Sequence, residues 1–94
     1  MYGTVMIGRS SATLDDLRPL FDAWVDAIGR EAGFIDERIL ADGGGRVVMC
    51  VRFRDEAAYR ALADNPRQHE WWTSTMAPLL DGEPEWIDGH WHDL

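Results

Sequence analysis

The aromatic side chains of this chain are concentrated towards its C-terminal end. Of its five tryptophans, Trp71, Trp72, Trp86 and Trp91 all lie in the last quarter of the sequence. Aromatic walls carrying a few polar groups suit a flat ligand, and such a cluster could form one. The alternative is structural: Trp24 and Trp72 would belong to the core, while Trp86 and Trp91 would pack at an interface between subunits. Both interpretations stay open at this point.

One histidine is placed where it could act on a bound ligand. His69 precedes Trp72 by about one helical turn, so both side chains project in the same direction and could line one pocket. An imidazole there could serve as an acid–base group or as a haem ligand. Because His69 lies in the first turn of its predicted helix, the alternative is a partly exposed histidine without a role.

A second group of polar residues has the spacing of metal ligands. His90 and His92 share one strand face with Asp88, and two histidines with a carboxylate can bind zinc. The spacing fixes no further ligand, and chain ends commonly fray. We therefore predict no metal and no other cofactor.

Several function classes are excluded by composition. The chain contains no lysine, so lysine Schiff-base chemistry is excluded, and its nine basic residues are all arginines. The formal charge of −8 would repel nucleic-acid backbones and anionic membrane surfaces, so neither is an expected partner. The serines have no nucleophile-elbow context. The three consecutive glycines, Gly43 to Gly45, do not precede a helix and therefore form no phosphate-binding loop.

The compartment is predicted from three features. The first ten residues lack a basic segment followed by an apolar one, so no signal peptide is expected. No apolar run approaches the ~20 residues that span a bilayer. Cys50 is the only cysteine and cannot form an intrachain disulfide. We expect a cytoplasmic protein.

The strands and helices that position these residues are indicated by the spacing of apolar residues and by the turn-forming residues between them. A glycine-rich turn separates two runs that alternate as strands do, Phe34–Leu40 and Val47–Phe53. A helical pattern lies on the outer side of each run in the sequence. Beyond the helical patterns are two further strands, Tyr2–Gly8 at one end and Glu85–Trp91 at the other. The order strand–helix–strand, turn, strand–helix–strand is that of a ferredoxin-like βαββαβ fold with a four-stranded antiparallel sheet. At 94 residues we expect a single α+β domain over residues 1–94.

Helix boundaries carry local signals as well. Thr13 and Asp16 resemble a capping box at the start of the first helix, and Gly33 is placed as its stop. Asp55 is the predicted cap of a short second helix. Asn65 and Pro66 are the predicted cap and first residue of the last helix, which we expect to end at Pro78.

The sheet should have apolar residues on both faces. The third strand presents Val47, Met49, Val51 and Phe53 on one side, but Val48 and Cys50 on the other. Helices cover only one face of a ferredoxin-like sheet, so the second face would be an exposed apolar patch. Covering it with the same face of a second copy gives a homodimer in which the two sheets form a barrel.

Two stretches of the sequence are distinctive: Phe53-Arg54-Asp55-Glu56-Ala57-Ala58-Tyr59 and Met76-Ala77-Pro78-Leu79-Leu80-Asp81-Gly82-Glu83-Pro84. Together with the order of elements and the length, they resemble the antibiotic biosynthesis monooxygenase family of the dimeric α+β barrel superfamily. The resemblance covers essentially the entire chain. It implies a cofactor-independent monooxygenase acting on a small phenol or quinone-type substrate. The haem-degrading branch of the family has a first-strand asparagine where the nearest polar residue here is Thr4, and a histidine on the helix after its tryptophan, which this chain lacks.

Under this resemblance the site residues take defined roles. Trp71, Trp72 and Trp86 would hold the substrate flat, with Thr4 at the same site. His69, the candidate catalytic residue, or Arg38 would stabilise a phenolate or a developing oxyanion. The alternative from another class is a non-catalytic dimeric module of the same fold that binds a small ligand or a partner, in which the same tryptophans are structural.

Overall fold

The fold was analysed in a computed structural model that describes residues 1–94. Four antiparallel strands form one sheet in the order β2-β3-β1-β4. The strands are β1 (Tyr2–Arg9), β2 (Phe34–Ala41), β3 (Arg46–Phe53) and β4 (Glu85–His90). The helical segments that connect β1 to β2 and β3 to β4 make this an α+β ferredoxin-like fold, as the sequence predicts.

The first helix starts at the predicted residue, but its last part is π-helical and not α-helical. In α1 (Leu14–Trp24), the Thr13 hydroxyl accepts a hydrogen bond from the Asp16 amide, and the Asp16 carboxylate accepts one from the Thr13 amide. The capping box is therefore confirmed. The helix then widens into a π-helical segment, Val25–Gly29. The chain leaves it through Gly33 at φ 80°, the left-handed conformation that glycine adopts without a steric penalty.

The connection between β3 and β4 consists of several short helical segments. The carboxylate of Asp55 caps α2 (Glu56–Ala63), and Asn65 caps α3 (Pro66–Trp71), with Pro66 as first residue. The predicted single last helix is in fact α3 followed by a π-helical segment, Trp72–Met76, and a short 3₁₀ turn, Ala77–Leu79. The Ser10 hydroxyl donates a 2.6 Å hydrogen bond to the Leu79 carbonyl and fixes the end of this segment against β1.

The hairpin between β2 and β3 contains an irregularity that decides which side chains reach the helices. Phe34 pairs with Phe53 and Glu37 pairs with Val51, but the register shifts between Phe34 and Asp36. Because Phe53 and Val51 are both buried under the helices, Phe34 and Glu37 face the helical layer as well. The bulge therefore turns Asp36 and Arg38 to the other face, where Asp36 forms an ion pair with Arg52.

The core lies between the sheet and the helices in two clusters. One is built from Met6, Leu17, Phe21, Val47, Met49 and Met76. The other is built from Trp24, Ile28, Val51, Phe53 and Leu62. None of the helices is long and apolar enough to cross a membrane.

The opposite face of the sheet, which we call the open face, carries no helix. It presents half-buried Val5, Ile7, Val48 and Cys50, and exposed Ile87 on β4. Leu40 on β2, which pairs with Val48, is 70% exposed. The apolar second face that the sequence predicts is therefore present.

Candidate functional site

A cavity of about 240 Å³ lies between the helices and the sheet and is lined by members of both core clusters. Its walls are mainly apolar, and its polar groups come from a few side chains. The lining residues are Thr4, Phe21, Trp24, Glu37, Met49, Val51, Phe53, Tyr59, Leu62, Ala63, Gln68, His69, Trp71, Trp72 and Trp86. An apolar pocket with a few convergent polar groups is the usual form of a small-molecule site.

Aromatic rings from four elements meet in the cavity wall. The ring centroids of Trp24 and Trp71 are 5.9 Å apart, which joins α1 to α3. Those of Trp72 and Trp86 are 5.0 Å apart, which joins the π-helical segment to β4. The Trp24 indole also donates a 2.5 Å hydrogen bond to the Gln68 side-chain oxygen. These contacts hold the rings in fixed orientations, as a site for a flat molecule requires.

Five of the six side chains that the sequence predicts for the site line this cavity. They are Thr4, His69, Trp71, Trp72 and Trp86. His69 is exposed at its edge and makes no side-chain hydrogen bond, while Trp86 is 46% exposed. Their common location leaves their roles as predictions.

Arg38 does not belong to this group. It pairs with Cys50 on β3 and lies on the open face of the sheet, so it cannot stabilise an oxyanion in the cavity. The cause is the bulge after Phe34, which reverses the faces of the residues that follow it. We correct the expected role of Arg38 on this ground.

The His-x-His pattern near the C-terminus does not assemble a metal site. The Asp88 carboxylate accepts hydrogen bonds from Thr4 and Tyr59, whereas the His90 ring packs edge-on against Tyr2 and lies 3.7 Å from Glu56. His92 follows the end of β4. No cluster of three or more histidine, cysteine, aspartate or glutamate side chains is arranged to hold a metal ion.

A small polar network closes one side of the cavity. The Thr4 hydroxyl donates a 2.6 Å hydrogen bond to the Asp88 carboxylate, and the Tyr59 hydroxyl donates one of 3.0 Å to the same oxygen. Burial raises the pKa of the Tyr59 phenol above its ordinary value, and the Asp88 carboxylate raises it further, although a hydrogen bond with Thr4 opposes the shift. Tyr59 is therefore a neutral hydrogen-bonding group in the wall.

The sequence analysis missed one residue of the site, Glu37. Its carboxyl lies among the cavity-lining side chains and has no hydrogen-bond or ion-pair partner. Burial raises its pKa to about 7, and the nearby Asp22 carboxylate contributes to the shift. The available signal was its spacing: Glu37 lies two residues before Ile39, so a register that buries Ile39 also turns Glu37 inward.

Comparisons with known proteins show the fold and no closer relationship. No protein-family model matches the chain, and no curated protein matches it. Among solved structures, it is similar to the monooxygenase ActVA-Orf6 of Streptomyces coelicolor in complex with Nanaomycin D. The identity is 19%, the TM-score is 0.68, and the match covers 99% of this chain and 88% of that one.

Two further structures give the same result. SnoaB, a cofactor-independent oxygenase from Streptomyces nogalater, is 16% identical with a TM-score of 0.69, covering 97% of this chain and 94% of that one. Rv0793 from Mycobacterium tuberculosis is 18% identical with a TM-score of 0.69, covering 99% and 96%. The chain therefore has the fold of the antibiotic biosynthesis monooxygenase structures, as its sequence resemblance implies. Fold does not by itself assign an activity.

Proposed function

We propose that this protein is a cofactor-independent monooxygenase that oxidises a small phenol or quinone-type substrate with molecular oxygen. The observation that carries the proposal is the cavity of about 240 Å³ walled by tryptophan rings. It is small beside the roughly 300–1,000 Å³ of many ligand pockets, so we expect a substrate of a few fused rings at most. The descriptions of SnoaB as a cofactor-independent oxygenase and of ActVA-Orf6 as a monooxygenase support the same reaction class.

We assign each side chain a proposed role that suits its position. The rings of Trp71, Trp72 and Trp86 hold the substrate flat between the helices and the sheet. His69, at the edge of the cavity, stabilises a phenolate or a developing oxyanion when its imidazole is protonated. Thr4 does not donate a hydrogen bond to the substrate, because its hydroxyl proton is donated to Asp88. Its role is to shape the cavity wall. The substrate anion then reacts directly with oxygen.

The second candidate is a non-catalytic module that binds a small aromatic ligand. It is favoured by the polar network, since Thr4 and Tyr59 both donate hydrogen bonds to Asp88 and all three groups are therefore paired within the wall. In such a protein the tryptophans would provide affinity and His69 would have no chemical task.

Oxygen uptake separates the two candidates. The protein, dialysed against a chelator and with no flavin added, is assayed across a panel of phenols and hydroquinones with parallel measurements of tryptophan quenching. The monooxygenase predicts uptake above the protein-free rate for at least one compound that also quenches. Quenching with no uptake by any bound compound supports the binding module.

We further propose that the working form is a cytoplasmic homodimer joined through the open faces. Val5, Ile7, Val48 and Ile87 form an apolar surface there that no helix covers in the single chain. An isologous contact between two such faces buries this surface and places the two cavities on the outer sides of the paired sheets.

A further inference from the structure

Glu37 is the one carboxyl group among the cavity-lining side chains. It faces the helices from β2, opposite Val51, with Phe21 and Trp24 of α1 lining the same space. No donor in the protein reaches its carboxyl oxygens. A carboxylate in apolar surroundings is unfavourable unless it is paired, so an arrangement of this kind points to a donor supplied by a ligand.

The charged and titratable groups around Glu37 come from every element packed against it. Asp22 on α1 is close enough to raise its pKa. Tyr59 on α2 and His69 on α3 line the same cavity, and Arg38 on its own strand lies on the opposite face. Because no arginine lines the cavity, a substrate carrying carboxylate, sulfate or phosphate would meet the Glu37 carboxyl group and no permanent cation.

We propose that Glu37 is the general base of this cavity and that its substrate is an uncharged phenol. This inference rests on the proposed function and names the substrate class and the proton acceptor of that same site. The Glu37 carboxylate takes the proton of the phenol hydroxyl, which gives a phenolate and a neutral Glu37 carboxylic acid. A base is most effective when its pKa lies near the working pH, and the pKa of about 7 satisfies this condition.

The overall reaction balances without an external reductant. One phenol and one molecule of oxygen give one para-quinone and one water. The oxidised ring carbon gains one oxygen atom, and the second oxygen atom is reduced to water. The two hydrogens of that water are the hydroxyl proton carried by Glu37 and the proton of the oxidised carbon. Glu37 therefore returns to its carboxylate form in each cycle.

The geometry also separates Glu37 from His69. Glu37 lies on the sheet side of the cavity and is half-buried, whereas His69 is exposed on α3. An exposed imidazole suits stabilisation of the anion, while a half-buried, unpartnered carboxylate suits proton removal. The two side chains thus have different tasks at one substrate.

The test compares naphthol with its methyl ether, which lacks the donor proton, from about pH 5 to about pH 9. Binding is followed by tryptophan quenching in the wild type, Glu37→Gln, Glu37→Asp and Glu31→Gln. Glu31 is exposed in the turn before β2 and serves as the charge-matched control. Thermal melts establish that each variant is folded.

We expect the wild type and Glu31→Gln to prefer naphthol over its ether increasingly as the pH rises through about 7. The preference should be flat with pH in Glu37→Gln and partly retained in Glu37→Asp. The same pH dependence in Glu37→Gln, or no preference for naphthol in the wild type, overturns the proposal.

Oxygen uptake by the same variants distinguishes this proposal from the proposed function. For a phenol that the wild type oxidises, Glu37→Gln should lower kcat/KM by about 10²–10⁴-fold and remove the limb of the pH profile near 7. If oxygen uptake persists in Glu37→Gln, Glu37 is not the general base, but the proposed oxygenase activity is still supported. Glu37-dependent, pH-dependent naphthol binding with no oxygen uptake contradicts the oxygenase and supports Glu37 as the acceptor.

Discussion

The indole rings of Trp72 and Trp86 contact each other at a centroid distance of 5.0 Å and an interplanar angle of 61°. The contact joins the π-helical segment after α3 to the edge strand β4 and forms part of the cavity wall. Because Trp86 is 46% exposed, this pair lies where the cavity meets solvent. We therefore expect Trp86 to contribute more to the binding of a ligand than to the stability of the core.

Trp86→Ala should weaken naphthol binding about tenfold while changing the melting temperature little, because a half-exposed ring buries modest area on folding. Trp86→Phe keeps an aromatic edge against Trp72 and should retain most of the affinity. Equilibrium titration followed by absorbance difference gives the dissociation constants without relying on the removed fluorophore. Equal affinities in all three proteins would place the ligand elsewhere.

His69→Ala should lower the oxidation rate while leaving the melting temperature nearly unchanged. The side chain is exposed and makes no hydrogen bond, so its removal costs little packing. We expect a loss of about tenfold in kcat, less than the 10²–10³ of a buried oxyanion donor, because solvent competes for the anion. His92→Ala, beyond the end of β4, is the matched control and should retain full activity. A large fall in stability on His69→Ala would instead identify a structural histidine.

Glu37→Gln should stabilise the protein at neutral and alkaline pH. Folding raises the pKa of Glu37 from 4.5 to about 7, so the unfolded chain releases this proton at lower pH than the folded protein does. The contribution of Glu37 to stability is therefore greatest below about pH 4.5 and falls as the pH rises to about 7.

The stabilisation by Glu37→Gln should be on the order of 1–2 kcal/mol larger at about pH 8 than at about pH 4, allowing for the partial exposure of the carboxyl. Denaturant unfolding at the two pH values measures this difference, and any constant cost of the buried amide cancels. Glu31→Gln should show almost no difference in stability change between the two pH values. A pH-independent effect of Glu37→Gln would mean that its pKa is the same in the folded and unfolded states.

The glycines of the β2–β3 turn should differ in their tolerance of alanine. Gly43 and Gly45 adopt φ of 80° and 96°, whereas Gly44 has no positive φ. Gly43→Ala and Gly45→Ala should each lower the free energy of unfolding by about 1 kcal/mol, because alanine is strained at these angles. Gly44→Ala is the control and should be nearly neutral. Equal effects at the three positions in thermal or denaturant unfolding would contradict this turn geometry.

Sedimentation equilibrium at micromolar concentration should give twice the 10.7 kDa chain mass. Val48→Asp places a charge on the apolar open face opposite Ile7 and should shift the protein towards the monomer. Leu14→Asp, at an exposed position on the helical layer, should leave the dimer intact. A stable monomeric wild type, or dissociation by Leu14→Asp but not by Val48→Asp, would contradict assembly through the open faces.

The parts of the fold that depend on local chemistry were predictable from the sequence. The Thr13–Asp16 capping box, the Asn65-Pro66 helix start and the glycine turn each involve residues close in the chain, and all are present. The alternation of β3 also gave the buried face correctly, because Val47, Met49, Val51 and Phe53 form an uninterrupted period of two.

The errors arise where the regular period is interrupted. A bulge of one residue after Phe34 reversed the faces of the rest of β2, which moved Arg38 out of the site and Glu37 into it. Likewise, the change from α-helix to π-helix at Trp72–Met76 has no local signal in the sequence that we could read. Glu37 reaches the cavity through the bulge and Trp72 lines it from the π-helical segment, so the acidic group of the site could not be assigned from the regular pattern alone.

The proposed reaction inserts oxygen into a phenol bound in the aromatic cavity, without a metal or flavin. Mass spectrometry of the product formed under isotopically heavy molecular oxygen tests it most directly, using the chelator-treated protein and a phenol that quenches its tryptophan fluorescence. We expect one heavy oxygen atom in each quinone, with the quinone formed above the protein-free rate by the wild type but not by Glu37→Gln. A quinone whose new oxygen is light, or a rate equal to that without protein, would contradict it.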